Sequence, residues 1–296
     1  MKELVVISGK GGTGKTSIVA AFAGLAKNAV FADCDVDAAD LHLVLEPKIK
    51  QKSDFSGGKR AAIVTEKCIG CGKCQDLCRF DAINFNGQPN DVVDRTFTIE
   101  PVSCEGCKVC VEFCPVDAIE FNDCINGQWF ISDTRFGIMV HAKLGIAEEN
   151  SGKLVTVIRK EAKKLAEEQK KDLIIVDGSP GIGCPVIASI TGANLVLIIT
   201  EPTLSGEHDL GRVADLAAGF KIPALVAINK FDLNPDMAKR IEEYARSRNI
   251  KVAGKIRYDN AFTKAQILKS TVIEYTGGAV SQEIRALWRN VTYALG

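Results

Sequence analysis

Gly9-Lys10-Gly11-Gly12-Thr13-Gly14-Lys15-Thr16 decides how this chain is read, because it satisfies the pattern G-x-x-x-x-G-K-[ST] at every position. The apolar run Leu4 to Ile7 precedes it, and a helix-compatible segment, Ser17 to Lys27, follows. Strand, glycine loop and helix in that order form a phosphate cradle. The glycines let successive backbone N–H groups turn inward on a polyphosphate, and the helix N-terminus adds its positive end. Lys15 supplies a mobile cation for the β- and γ-phosphates, and Thr16 offers a hydroxyl to Mg²⁺. Gly9 through Ser17 are therefore assigned to the nucleotide.

Lys10, directly after the first glycine, is a cation the ordinary motif does not need. Lys10-Gly-Gly-Thr-Gly-Lys15-Thr16 resembles the deviant Walker A motif of the MinD/ParA/Mrp ATPases and the nitrogenase iron protein. In that family the early lysine reaches across a dimer interface to the partner's phosphates. The resemblance implies an ATP-bound homodimer in which Lys10 acts in trans, stabilising charge during phosphoryl transfer beside Lys15.

The whole chain, 296 residues with 46% hydrophobic, suffices for one large α/β domain and a small one. Lys+Arg and Asp+Glu both number 37, so no global charge argues for nucleic acid or a membrane surface. No secretory leader pattern opens the sequence, and no apolar run approaches the roughly 20 residues of a membrane span. A cytoplasmic protein without a transmembrane segment is expected. In that compartment thiols stay reduced, so the 11 cysteines read as metal ligands rather than disulfides.

The first βαβ unit runs through a strand at residues 3–8, a helix at 15–27 and a short strand, Ala29 to Asp33. Asp33-Cys34-Asp35 then lies at the carboxyl end of that strand, where open parallel sheets bind ligands. By resemblance to the MinD-like family, Asp35 helps position the lytic water, with Asp33 near the metal. Lys48 to Lys59 is polar and glycine-containing and reads as a linker.

Cys68-x-x-Cys71-x-x-Cys74-x-x-x-Cys78 recurs as Cys104-x-x-Cys107-x-x-Cys110-x-x-x-Cys114-Pro115. The repeat extends beyond the cysteines, since Asp81-Ala-Ile-Asn-Phe-Asn86 matches Asp117-Ala-Ile-Glu-Phe-Asn122. This spacing is the bacterial two-cluster ferredoxin pattern, in which three cysteines of a run hold one 4Fe–4S cluster and the fourth ligates the other. Cys68, Cys71, Cys74 and Cys114 are assigned to one cluster, and Cys104, Cys107, Cys110 and Cys78 to the other. Arg79 follows Cys78 where proline follows Cys114, which implies unequal potentials. Zinc ribbons also use paired C-x-x-C, but tandem four-cysteine runs favour the ferredoxin pattern.

Beyond Phe121 a strand pair is expected at 129–131 and 137–140, then a helix near 150–170. Leu173-Ile-Ile-Val-Asp177 is an unbroken apolar strand ending in aspartate, the form of a Walker B strand whose Asp177 serves Mg²⁺. Gly178-Ser-Pro-Gly-Ile-Gly183 resembles the γ-phosphate-responsive turn of Mrp proteins. Cys184 stands at the interval of a cluster-ligating cysteine of the nitrogenase iron protein, but no cysteine occurs near Glu148 or Glu149, so a small buried residue at a helix start is expected, with a cluster bridging two Cys184 residues or a redox thiol as the alternative. Cys34, Cys124, His42, His141 and His208 carry no metal-ligand pattern.

Strands at 195–199 and 224–228 continue the alternation with helices. Asn229-Lys230-Phe231-Asp232 resembles both the guanine-reading N-K-x-D of GTPases and the adenine-reading asparagine of MinD-like ATPases. Lys10 favours ATP; Asn229 is the expected base contact, with Lys230 beside it, and the choice of base turns on Asp232. Ile256-Arg-Tyr-Asp259 resembles a base-flanking I-P-Y-D segment with arginine in place of proline. A terminal helix over 281–295 is expected to pack rather than bind membrane.

The expected architecture is a mostly parallel P-loop sheet flanked by helices, residues 1–56 and 124–296, with a small α+β two-cluster ferredoxin domain inserted at 57–123. The expected function is an ATP-hydrolysing, homodimeric iron–sulfur protein whose nucleotide state is coupled to electron transfer to a partner protein. An Mrp-like iron–sulfur carrier and a MinD-like regulator with a redox-sensing module are the alternatives.

Overall fold

The computed structural model describes residues 1–145 and 151–296. In chain order its strands are β1 (Lys2–Ser8), β2 (Ala29–Asp33), β3 (Lys48–Phe55), β4 (Gly58–Ile63), β5 (Ile83–Asn84), β6 (Thr98–Ile99) and β7 (Ile119–Cys124). They continue as β8 (Gly127–Thr134), β9 (Gly137–Leu144), β10 (Leu173–Asp177), β11 (Leu195–Thr200), β12 (Ala224–Asn229) and β13 (Lys251–Ile256). The helices are α1 (Lys15–Ala23), α2 (Leu41–Leu45), α3 (Lys73–Leu77), α4 (Val109–Glu112), α5 (Ser151–Glu168) and α6 (Cys184–Ile190), then α7 (Leu204–Gly219), α8 (Pro235–Ser247), α9 (Ala261–Ile267), α10 (Val272–Tyr275) and α11 (Ala279–Leu295).

The chain divides into two compact units, one of Met1–Ser53, Trp129–Lys143 and Ser151–Gly296, the other built chiefly on Asp54–Gln128. In the first, nine strands run in the order β13-β12-β11-β1-β10-β2-β9-β8-β3. From β13 to β9 every neighbouring pair is parallel. Parallel neighbours require helical crossovers that cover both faces, so residues 4–7, 29–32, 174–176 and 195–199 read as continuous apolar runs with almost no exposure. The core on one face gathers Phe22, Phe31, Leu41, Ile175, Leu197, Ile284 and Leu287.

At the far edge, β8 and β9 are joined by the two residues Arg135 and Phe136, a connection only antiparallel strands allow. Beyond them lies β3, which corrects the linker reading of Lys48–Lys59: that segment forms β3 and enters β4. The sequence hid it because β3 is an edge strand with nearly every side chain exposed. Its alternate lysines, Lys48, Lys50 and Lys52, suit an edge that must not recruit another strand.

The second unit is made of two matching halves. Positive backbone φ recurs at equivalent positions: Gly70 (65°) with Gly106 (63°), Gly72 (78°) with Lys108 (68°), and Asp81 (50°) with Asp117 (49°). The short helix α3 corresponds to α4, and each half proceeds to a strand, β5 or β7. β4 pairs antiparallel with β7, and β5 with β6. The core of this unit is small, Cys68, Ile83, Phe97 and Ala118, with Ile63, Ile99 and further cysteines packed against it.

The terminal helix α11 buries Val280, Ile284, Leu287 and Val291, one stripe at helical spacing. Leu287 lies over Gly254 of β13, where an added Cβ would stand 3.2 Å from it. Among the described residues no helix is long and apolar enough to cross a membrane. Leu287→Ala should therefore lower stability by about 2–5 kcal/mol, the range for emptying a fully buried leucine site; a denaturant midpoint close to wild type would mean that α11 is not docked as described.

Candidate functional site

The parallel strands β1, β2 and β10 deliver their carboxyl ends to one edge, and the charged residues gather there. Asp177 and Asp33, the last residues of β10 and β2, are paired in register. The glycine loop leaves β1 at the same edge and enters α1 through Gly14, whose φ of 86° lies in the left-handed region. A Cβ at Gly14 would also stand 2.4 Å from Asn229 Nδ2, so only glycine fits.

Lys15 is the centre of this cluster. Its side chain is 5% exposed and its ammonium is bonded to Asp177 and lies 3.2 Å from Asp35. Burial works against the charged ammonium, but the carboxylates of Asp177 and Asp35 outweigh it and hold its pKa above the usual lysine value. Burial, and then the negative charge of Asp177, push the Asp33 carboxyl well above the usual carboxylate range. Burial likewise raises Asp35. Asp33 Oδ1 accepts from the Asp35 backbone N–H at 3.2 Å, whereas Asp33 Oδ2, Asp177 Oδ2 and Thr13 Oγ1 are buried without a partner.

Unpartnered buried carboxylate oxygens require a cation or a donor. One ammonium faces three carboxyl groups, and hard oxygen donors from Asp33, Asp177 and the nearby Thr16 hydroxyl fit Mg²⁺. In front of them opens a cavity of about 350 Å³ lined by Gly11–Ser17, Asp35 and Pro180, and farther out by Ala20, Asp40, Val44, Phe262, Gln266 and Ser270–Val272. The residues of α9 and α10 carry no motif, and sequence reasoning missed them; the one available signal was Phe262 and Gln266 one helical turn apart.

The N-K-x-D residues fasten the loop. Asn229 Nδ2 donates to the Thr13 carbonyl at 2.7 Å, and Lys230 Nζ to the Gly12 carbonyl at 2.9 Å. Asp232 accepts from the backbone N–H of Tyr258 at 2.7 Å, joining its turn to the segment after β13. None of these three lines the cavity, although Asn229 Oδ1 is buried and unpartnered. Lys10 is turned onto its own chain, 2.7 Å from Glu201 and 2.9 Å from Ser205 Oγ. Cys184 is exposed at the first position of α6, against the expectation of a buried residue, because Gly183 and Pro185 start the helix at the surface. Glu148 and Glu149 lie outside the described residues. Cys34 is wholly buried, with its thiol pushed well up by that burial.

In the second unit two small voids each have four cysteines among their lining residues. One is lined by Cys68, Cys71, Cys74 and Cys114, the other by Cys78, Cys104, Cys107 and Cys110. Each set thus takes three thiols from one half and one from the other. Burial pushes the Cys74 thiol up to about 11 and also raises Cys110. Cys114 Sγ accepts a bond from the Ala118 N–H at 3.3 Å. Among the described residues no three His, Cys, Asp or Glu side chains converge closely enough to hold a single metal ion.

Residues 4–272 match the CobQ/CobB/MinD/ParA nucleotide binding domain. An uncharacterized protein of Methanocaldococcus jannaschii is 37% identical over 235 residues, covering 78% of this chain and 79% of the relative. The fold is similar to that of the Pyrococcus furiosus cell division ATPase MinD, with a TM-score of 0.57 and 15% identity over 99% of this chain and 98% of the other. It is likewise similar to the Pyrococcus horikoshii septum site-determining protein MinD complexed with Mg-ADP, with a TM-score of 0.57 and 15% identity over 98% and 95% of the two chains.

Replacing Gly14 by alanine should weaken binding of a non-hydrolysable ATP analogue by about tenfold or more, given a left-handed backbone penalty of roughly 1–2 kcal/mol plus the clash with Asn229. Calorimetric titration gives the value, and unchanged affinity would show that the loop is free to rearrange.

Proposed function

The chain belongs to the CobQ/CobB/MinD/ParA nucleotide-binding family, and from that premise we propose that it is an ATP-hydrolysing, dimeric iron–sulfur protein whose nucleotide state controls electron passage to a partner protein. The observation that carries the iron–sulfur part is the sorting of eight cysteines into two voids, each drawing on both halves of the repeat. That sorting agrees with the crossed ligation of two-cluster ferredoxins and supports reading residues 57–123 as an inserted ferredoxin domain. When bound, a 4Fe–4S cluster supplies one-electron transfer.

The chain's own residues divide the remaining work. Lys15, pinned by Asp177 and Asp35, is the cation for the β- and γ-phosphates of ATP. Thr16, Asp33 and Asp177 hold Mg²⁺, and Asp35 orients the lytic water. Asn229 Oδ1, a buried acceptor without a partner, is the group offered to a donor on the base, and Lys10 is what favours adenine. Lys10 reaches the phosphates of a second chain in the dimer. Cys68, Cys71, Cys74 and Cys114 serve one cluster, and Cys104, Cys107, Cys110 and Cys78 the other.

Lys10→Ala should abolish ATP hydrolysis and leave both clusters intact by absorption and electron paramagnetic resonance; a fully active variant removes the in-trans role. Coupling itself is read by an anaerobic redox titration without nucleotide, with ADP and with a non-hydrolysable ATP analogue. A shift of about 59 mV with the analogue corresponds to a tenfold difference in nucleotide affinity between redox states. Superimposable curves would leave the clusters as structure or sensor and favour a regulatory ATPase.

A further inference from the structure

Lys10 and Lys15 are both loop lysines, yet the structure treats them differently. Lys15 is buried between two carboxylates. Lys10, 34% exposed, shares one carboxylate with another lysine. Glu201, at the end of β11, holds Lys10 Nζ at 2.7 Å through Oε1 and Lys230 Nζ at 3.1 Å through Oε2. Ser205, in the first turn of α7, accepts from Lys10 at 2.9 Å. We propose that Glu201 is a positioning residue that keeps Lys10 on its own chain, so that Lys10 serves a second chain's nucleotide only once this carboxylate has released it. The proposal rests on the reading of Lys10 as acting in trans.

Three features make Glu201 a holder that can let go. First, the seat is rigid: Thr203 Oγ1 caps α7 by accepting from the Gly206 N–H at 3.0 Å, and Gly206 meets the Glu201 carbonyl so closely that a Cβ would stand 2.3 Å from it. Second, the loop is seated on the same helix, because a Cβ on Gly9 would stand 2.3 Å from Asp209 Cβ. Third, release does not strand a charge. When Lys10 leaves, Lys230 remains as counter-ion and stays bonded to the Gly12 carbonyl at 2.9 Å. A half-buried carboxylate with no partner would oppose departure; this one keeps a partner. The partial exposure of Lys10 also places its pair in the range of weak, reversible ion pairs.

The test uses the full chain with Mg²⁺ and a non-hydrolysable ATP analogue, and follows the monomer–dimer equilibrium by analytical ultracentrifugation. Wild type, Glu201→Gln, Lys10→Ala and the double variant are compared, with thermal melting to establish folding. Glu201→Gln should lower the midpoint concentration for dimerisation by about threefold, within the range expected for a partly exposed pair. In the Lys10→Ala background the same change should have no effect. An unchanged or raised midpoint, or an equal shift without Lys10, overturns the proposal and assigns Glu201 to Lys230 and the loop. If Glu201→Gln does not fold, Ser205→Ala should shift the midpoint the same way by a smaller factor, and no shift there counts against the proposal. Absence of a nucleotide-dependent dimer in every variant overturns the in-trans reading itself and the proposal with it; a dimer indifferent to residue 201 overturns only the latter.

Discussion

A buried ammonium ringed by carboxylates sets the terms for this protein. Lys15 sits between Asp177 and Asp35, with Asp33 beside them in register, at the carboxyl edge of a sheet whose central strands are sealed on both faces. Such a cluster is stable only if each charge keeps a partner, because desolvating an unpaired ion is expensive. Burial and the negative charge of Asp177 raise the Asp33 carboxyl, and a divalent cation would offset the negative excess directly. The same electrostatics that hold the edge together therefore prepare it for Mg²⁺ and phosphate.

Around that centre the loop is clamped from outside by β12 and its following turn. Asn229 and Lys230 bond the carbonyls of Thr13 and Gly12. The N-K-x-D run thus has a structural duty before any duty toward a base. It also explains why Gly14 tolerates no side chain: its open face is filled by the asparagine that fastens the loop.

The inserted unit follows a different logic. Its apolar core is small, and five cysteines, Cys68, Cys74, Cys78, Cys110 and Cys114, belong to it or pack against it. The two halves repeat the same left-handed backbone positions, with Lys108 where the other half has Gly72. Each void takes lining residues from both halves of the repeat.

What the sequence determined by itself was everything encoded in contiguous runs. The glycine loop, the strands Ala29–Asp33 and Leu173–Asp177, and the doubled cysteine run are legible because each needs a fixed local spacing of residue types. The sequence misread Lys48–Lys59 as a linker, since an edge strand buries too little to write an apolar pattern, and it expected a buried Cys184 where the helix starts at the surface. Only the tertiary structure decided what meets across long separations: Glu201 with Lys10, Asn229 with Thr13, Phe262 and Gln266 facing the loop across the cavity, and which cysteines share a void. Those pairings come from strand order and crossover packing, and no local spacing records them.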